Sequence, residues 1–179
     1  MLLPKTDWFW YTHQQTLRID LGDDLSFVVP YPLKLLINLP MGEQLFSLQD
    51  TEYYLGLVEN LAQSGTAMGA PQLSQILLNA TAALAFHKPL SVKSWHFATQ
   101  GTPGVHCQLA LLEPLTQNGA FELGQVLVLQ RDREASTCMS LAPKFQINAT
   151  KTLAQFELIR VMNNRLIPYI ADTAFSKRA

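Results

Sequence analysis

The chain is predicted to fold as an α+β protein, and three observations carry that prediction. Apolar and polar residues alternate through much of the first 30 positions, which is the period of half-buried strands. Two longer segments between Asp50 and Phe86 repeat their apolar residues at helical spacing, the pattern of amphipathic or buried helices. From Ser94 onward, short β-rich runs recur between turn signals, as in consecutive hairpins. The expected arrangement is an N-terminal α/β part with short strands and two main helices, packed on a C-terminal β-barrel-like sheet with a returning C-terminal helix.

Taken in order, Trp8 and Trp10 alternate with Phe9 and Tyr11, and the run Leu17-Arg-Ile-Asp-Leu21 alternates in the same way. The two runs form a hairpin closed around Gln14-Gln15. Gly22-Asp-Asp24 makes the next turn, and Leu25 to Val29 is a third short strand. Pro30, Pro32 and Pro40 then interrupt the chain, so Leu33 to Leu39 is at best a short helix or an irregular connector. Gln44 to Leu48 returns as a strand. Asp50 can cap the first helix, in which Tyr53, Tyr54, Leu57, Val58 and Leu61 recur at helical spacing, and Gly65 ends it. Pro71 suits the first turn of the second helix. Its stripe of Leu73, Ile76, Leu77, Ala80 and Leu84 is backed by Leu78, Ala82, Ala85 and Phe86, so more than one side is buried. Lys88-Pro89 stops it, because a residue before proline avoids helical backbone.

Strand-like runs follow at Ser94 to Thr99, Val105 to Leu112, Phe121 to Gln130, Thr137 to Leu141 and Lys144 to Asn148. Turn signals stand at Asn118-Gly119 and Arg131-Asp-Arg-Glu134. The last element reads as helical. Asn148 or Thr150 can cap it, and Leu158, Ile159, Met162 and Leu166 point one way while Glu157, Arg160 and Asn164 share another face. Pro168 ends it. The only seam in the pattern lies around Lys88 to Lys93, which divides the chain into residues 1–90 and 91–179; the pattern alone supports one α+β domain equally well.

Composition limits the function classes. With 48% hydrophobic residues in 179, the chain can bury a core without staples. Cys107 and Cys138 are too few for a disulfide framework and have no zinc or redox spacing. The N-terminus lacks the pattern of a signal peptide, and the longest apolar stretch falls short of the roughly 20 residues a bilayer requires. A soluble cytoplasmic protein with no membrane contact is expected. Charge is uneven: residues 1–69 hold eight carboxylates against three basic groups, net −5, and residues 70–179 hold six against ten, net +4. The C-terminal part therefore suits an anionic partner. A sequence pI near 6.4 argues against nucleic acid, whose binders usually exceed about 9.

No segment carries a catalytic signature. Ser94 and His96 lie on one face of a predicted strand and have the chemistry of a nucleophile and its base, but Ser94 has no nucleophile elbow and His96 no neighbouring carboxylate. His87, His96, His106, Cys107 and Cys138 are metal-ligand types without metal-ligand spacing. Asp20, Asp23 and Asp24 read as a solvated turn rather than a calcium loop, and Gly101-Thr-Pro-Gly104 is wrongly placed to cradle phosphate. No cofactor is expected. Trp8 and Trp10 read as core. Trp95, flanked by Lys93 and His96, is balanced between packing and contact with a partner.

Three segments point to a family: Asp7-Trp-Phe-Trp-Tyr11, Lys88-Pro through Lys93-Ser-Trp-His-Phe97, and Val161-Met-Asn-Asn-Arg-Leu166. With Leu17-Arg-Ile-Asp-Leu21 and Leu77-Leu-Asn-Ala-Thr-Ala-Ala-Leu84, they resemble the Z-ring-associated ZapC family, whose tryptophans fall in this order. Residues 30 to 69 and 100 to 150 resemble it in pattern only. The resemblance implies an α/β N-terminal part on a β-barrel-like C-terminal part, and no enzyme activity. It also implies a monomer at the division site that binds FtsZ, promotes lateral bundling of its protofilaments and lowers its GTP turnover. Lys88, Lys93, Arg160 and Arg165 would form a cationic rim around an apolar pocket, with Trp95 and His96, and would take the short acidic and apolar FtsZ tail. Arg160 and Arg165 pairing with Glu157 or nearby carbonyls is the plainer alternative. A barrel that binds an apolar small molecule, or less readily a Ser/His hydrolase, is the rival reading.

Overall fold

The computed structural model describes residues 1–99, 108–115, 122–148 and 150–170. The expected turn at Asn118-Gly119 and the Gly101-Thr-Pro-Gly104 segment, together with His106 and Cys107, lie outside them. The class is mixed α+β, as predicted. The chain divides into two compact units: residues 1–58 with 68–93, and residues 59–67 with 94–179.

In the first unit, β1 (Phe9–His13) and β2 (Thr16–Asp20) form the expected hairpin. Gln14 and Gln15 both take positive φ, the backbone of a two-residue turn that matches strand twist. A second turn with Gly22, Asp23 and Asp24 at positive φ leads to β3 (Ser26–Val28), and β4 (Gln44–Leu45) pairs with the other side of β1. The sheet order is β3-β2-β1-β4. Leu17, Ile19 and Leu21 face inward with Trp8 and Trp10, all fully buried or nearly so. Edge-to-face aromatic contacts knit this layer: Trp8 to Phe46 at 5.5 Å, Trp8 to Tyr54 at 6.0 Å and Trp10 to Phe86 at 5.3 Å, each worth about 0.5–1.5 kcal/mol beyond the buried area.

Two helices supply the opposing layer. α1 (Leu48–Gln63) is capped by Ser47 rather than by Asp50. Ser47 Oγ accepts from the Asp50 amide at 3.0 Å, while Asp50 Oδ2 accepts from the Ser47 amide at 2.9 Å. This reciprocal box satisfies two orphan donors at once, and Asp50 Oδ2 also accepts from Trp10 Nε1 at 3.3 Å. α2 (Ala70–Phe86) carries Pro at its start and is buried on several sides. Leu84, which the apolar stripe placed inward, is exposed. The N-terminal segment is held by both helices, through Tyr54 Oη donating to the Leu2 carbonyl at 2.9 Å and the Leu2 amide donating to Ser74 Oγ at 3.3 Å.

The second unit is built on strands. β5 (Lys93–Ser94), β6 (Leu109–Leu112), β7 (Gly124–Arg131), β8 (Ala135–Ser140), β11 (Leu158–Met162) and β12 (Ile167–Pro168) form one sheet in the order β12-β6-β7-β8-β11-β5, and β9 (Lys144–Gln146) pairs with β10 (Thr152–Ala154). Among the described residues the six-stranded sheet is open, with β12 and β5 at its two ends. The predicted strand Ser94 to Thr99 is reduced to β5 and a single bridge from Phe97 to Pro114. The β7–β8 hairpin turns at the charged Arg131–Glu134 segment as expected, and its ladder slips by one residue between Val128 and Gln130, a bulge that bends the strand.

The returning C-terminal helix does not exist. Its residues form β10, β11, a 3-10 turn over Asn163–Arg165 and β12. The apolar positions satisfied a helical period, but β-branched Ile159 and Val161, two apart, both enter the core, while Met162 is exposed. Phe156 has φ 66, which no helix passes through. Asn148, predicted as the cap, instead accepts from the amides of Thr150 and Lys151 at 2.9 Å each, so it shapes the turn between β9 and β10.

Candidate functional site

The six residues expected to contact a partner fall into both units. In the first, Lys88 follows the end of α2, where the His87 amide still donates to the Ala83 carbonyl at 3.1 Å. Lys88 is half-buried, and its ammonium donates to the Lys34 carbonyl at 2.7 Å. It ties the connector after β3 to the end of α2, as does the Lys88 amide bonded to the Leu35 carbonyl at 2.9 Å. Burial holds the neighbouring His87 below the usual imidazole range, partly opposed by its bond to the Lys88 carbonyl. Lys93 is exposed on β5 at the end of the six-stranded sheet.

In the second unit, Trp95 is half-buried, packs against the core cluster that includes Phe97, Leu112 and Phe145, and keeps an indole N–H that finds no acceptor among the described residues. His96 beside it is exposed. Lys151, which the pattern had not singled out, sits with its ammonium 5.9 Å from the Trp95 ring centroid and 2.7 Å from Glu157 Oε1. A cation over an indole face is held electrostatically. Nothing in the sequence pairs positions 95 and 151; the β9–β10 turn does so.

Arg165 belongs to the same neighbourhood, though on a 3-10 turn rather than a helix. It donates to the Phe97 carbonyl at 2.7 Å and to Thr99 Oγ1, so its charge braces the segment that carries Trp95 and His96. Arg160 lies on β11 and pairs with Asp132 at 2.5 Å. Both arginines thus have internal partners, though neither pairs with Glu157. Asn163, between them, fastens the β7–β8 turn: its Nδ2 donates to the Asp132 carbonyl at 2.9 Å, and its Oδ1 accepts from Ser136 Oγ at 2.6 Å. The segment Val161–Leu166 is therefore a fastening of strand ends, with one guanidinium turned to the Trp95 segment.

The first 88 residues match the family model for cell-division protein ZapC, N-terminal, and residues 89–172 match that for cell-division protein ZapC, C-terminal. The chain belongs to the ZapC family. A cell division protein ZapC of Pseudoalteromonas atlantica is 56% identical over 179 residues, covering 100% of both chains. One of Shewanella woodyi is 37% identical, covering 98% of this chain and 96% of its own, and one of Aliivibrio salmonicida is 36% identical, covering 93% and 92%. Membership of ZapC gives this chain a role in cell division. ZapC is a family of cell-division proteins rather than of known enzymes. Ser94 and His96 are both exposed. Among the described residues there is no group of side chains fit to hold a metal ion and no helix long and apolar enough to cross a membrane.

Proposed function

We propose that this ZapC-family chain is a non-enzymatic FtsZ-binding protein. It promotes lateral association of FtsZ protofilaments, lowers GTP turnover and so stabilises the division ring, acting as a monomer in the cytoplasm at midcell. The observation that supports this reading most is the full-length likeness to ZapC proteins, 56% identical over 179 residues in one of them. A protein that binds polymerised FtsZ better than free subunits shifts assembly by that difference in affinity.

The FtsZ tail, short, acidic and apolar, is taken by Lys88, Lys93, Trp95, His96, Arg160 and Arg165. Trp95, half-buried beside exposed Lys93 and His96, is the apolar anchor. Lys93 and His96, both exposed, supply steering charge and polarity, and Arg165 holds the anchor segment in place. The family's two-part organisation, residues 1–90 and 91–179 with the second curling toward a barrel, provides more than one surface for bridging filaments.

Sedimentation with purified FtsZ and GTP tests the reading. The chain should co-pellet and enlarge the FtsZ pellet, and Lys93→Glu with His96→Glu should reduce co-pelleting at least tenfold while the thermal melt stays unchanged. A chain that remains in the supernatant overturns the function, and an unaffected double variant overturns the site.

A further inference from the structure

The first unit has a free sheet edge beside an apolar pocket. Among the described residues β3 pairs with β2 alone. The Leu21 amide donates to the Leu25 carbonyl at 2.8 Å, and the Val29 amide donates to the Leu17 carbonyl at 2.9 Å. Hydrogen-bonded pairs alternate along an antiparallel ladder, so residues 25, 27 and 29 use their backbone toward β2, and Ser26 and Val28 present theirs outward. Neither has a partner among the described residues. Leu25, at the start of this edge, also lines a pocket of about 600 Å³ with Leu3, Trp8 and Leu21. Leu3, Leu25 and Val28 are 56%, 47% and 45% exposed, although Trp8 beneath them is buried and its indole N–H has no acceptor among the described residues.

Side chains alternate across a strand, and Leu25 and Phe27 share the inner face with Ile19 and Leu21. A strand added outside β3 would therefore send an inward-facing side chain toward the pocket while its backbone met Ser26 and Val28. Charge restricts the occupant further. Asp7, against Gly22, and Asp20, Asp23 and Asp24 surround this end. Opposing them are the amino terminus, Arg18 across from Val28, and Lys5, which is itself paired with Asp23 at 2.6 Å, so four carboxylates face three cationic groups. The surplus is acidic.

We propose that the outer edge of β3 and this pocket form a docking site for an extended peptide segment of a partner protein, one that carries an apolar anchor residue flanked by lysine or arginine. Main-chain hydrogen bonds give such strand addition its affinity, and pockets for alternate side chains give its specificity. The proposal is independent of the FtsZ reading, whose site is anchored on Trp95 and shares no residue with this edge or its pocket.

The test uses the full chain and a fluorescein-labelled octapeptide of alternating Lys and Val with a central Leu, followed by anisotropy. A version with Glu for Lys and one with N-methylated backbone serve as comparisons. The lysine peptide should bind, both comparison peptides should bind at least tenfold more weakly, and amide exchange at Ser26 and Val28 should slow in the complex. Val28→Pro removes one outward N–H from an edge position where proline is tolerated and should weaken binding about tenfold. If that variant fails to fold, Leu25→Asn, at an exposed position, should weaken binding several-fold. Absence of binding to wild type, equal binding of the glutamate or N-methylated peptide, or unchanged affinity in a folded variant of either kind overturns the proposal.

Discussion

Gly124→Ala is expected to destabilise the second unit by about 2 kcal/mol. Gly124 opens β7 opposite Leu112, and a methyl group there would overlap Cδ1, Cε1 and Cζ of Phe145. The ring cannot simply swing away, because Phe145 is buried in the core cluster and stacks on Phe97 with centroids 6.2 Å apart and planes 10° from parallel. Overpacking of a close-packed core costs typically 1–3 kcal/mol, so about 3 kcal/mol fits a clash with three ring atoms. Gly124 does not occupy left-handed backbone, and stiffening the unfolded chain returns about 0.4–1 kcal/mol, which leaves about 2. With a urea dependence of about 2 kcal/mol per molar, the unfolding midpoint should fall by about 1 M. A second substitution isolates the cause: Phe145→Leu alone should also destabilise, by creating a void, but combined with Gly124→Ala it should cost at least 1 kcal/mol less than the two separate losses together. A midpoint for Gly124→Ala within error of wild type, or strict additivity in the pair, refutes the reasoning.

Two further outcomes follow from the first unit. Ser47→Ala removes one side of the reciprocal cap on α1 and should lower stability by about 1 kcal/mol, read as a drop in melting temperature with no change in the circular dichroism of the folded state. His87, held by burial below its ordinary pKa near 6.5, remains neutral in the folded chain while the unfolded chain takes up a proton; stability should therefore fall as pH drops from 7.5 through the ordinary value toward the depressed one, and His87→Gln should flatten that decline. An identical pH dependence in the variant would remove His87 from the account.

The candidate site was legible in part. Trp95 with Lys93 and His96 stands out in the sequence because three unlike functional types sit within four residues. The helical period puts Arg165 on a helix, whereas the structure puts it on a 3-10 turn bonded to the Phe97 carbonyl. Lys151 was missed, since its partner lies 56 residues away and only the β9–β10 turn brings it to the indole. The apolar pocket beside β3 was also beyond the sequence, because it forms where the chain start meets a turn some twenty residues later.

By itself the sequence determined what depends on neighbours along the chain. The Gln14-Gln15 hairpin, the glycine and aspartate turn after β2, the proline at the start of α2 and the two helices all follow from backbone sterics and short-range periodicity. The recurring tryptophans carried the family. Tertiary structure decided the rest, above all the conversion of residues 152–168 from predicted helix to strands. Leu158, Ile159, Met162 and Leu166 fit a helical stripe, and only a free ladder on β8 and the left-handed backbone at Phe156 select the strand. Tertiary structure also set Ser47 rather than Asp50 as the cap, with Asp50 Oδ2 accepting from both the Ser47 amide and Trp10 Nε1. Short apolar segments satisfy both periods, and the partner that breaks the tie is distant in sequence, so pairing, not pattern, settles it.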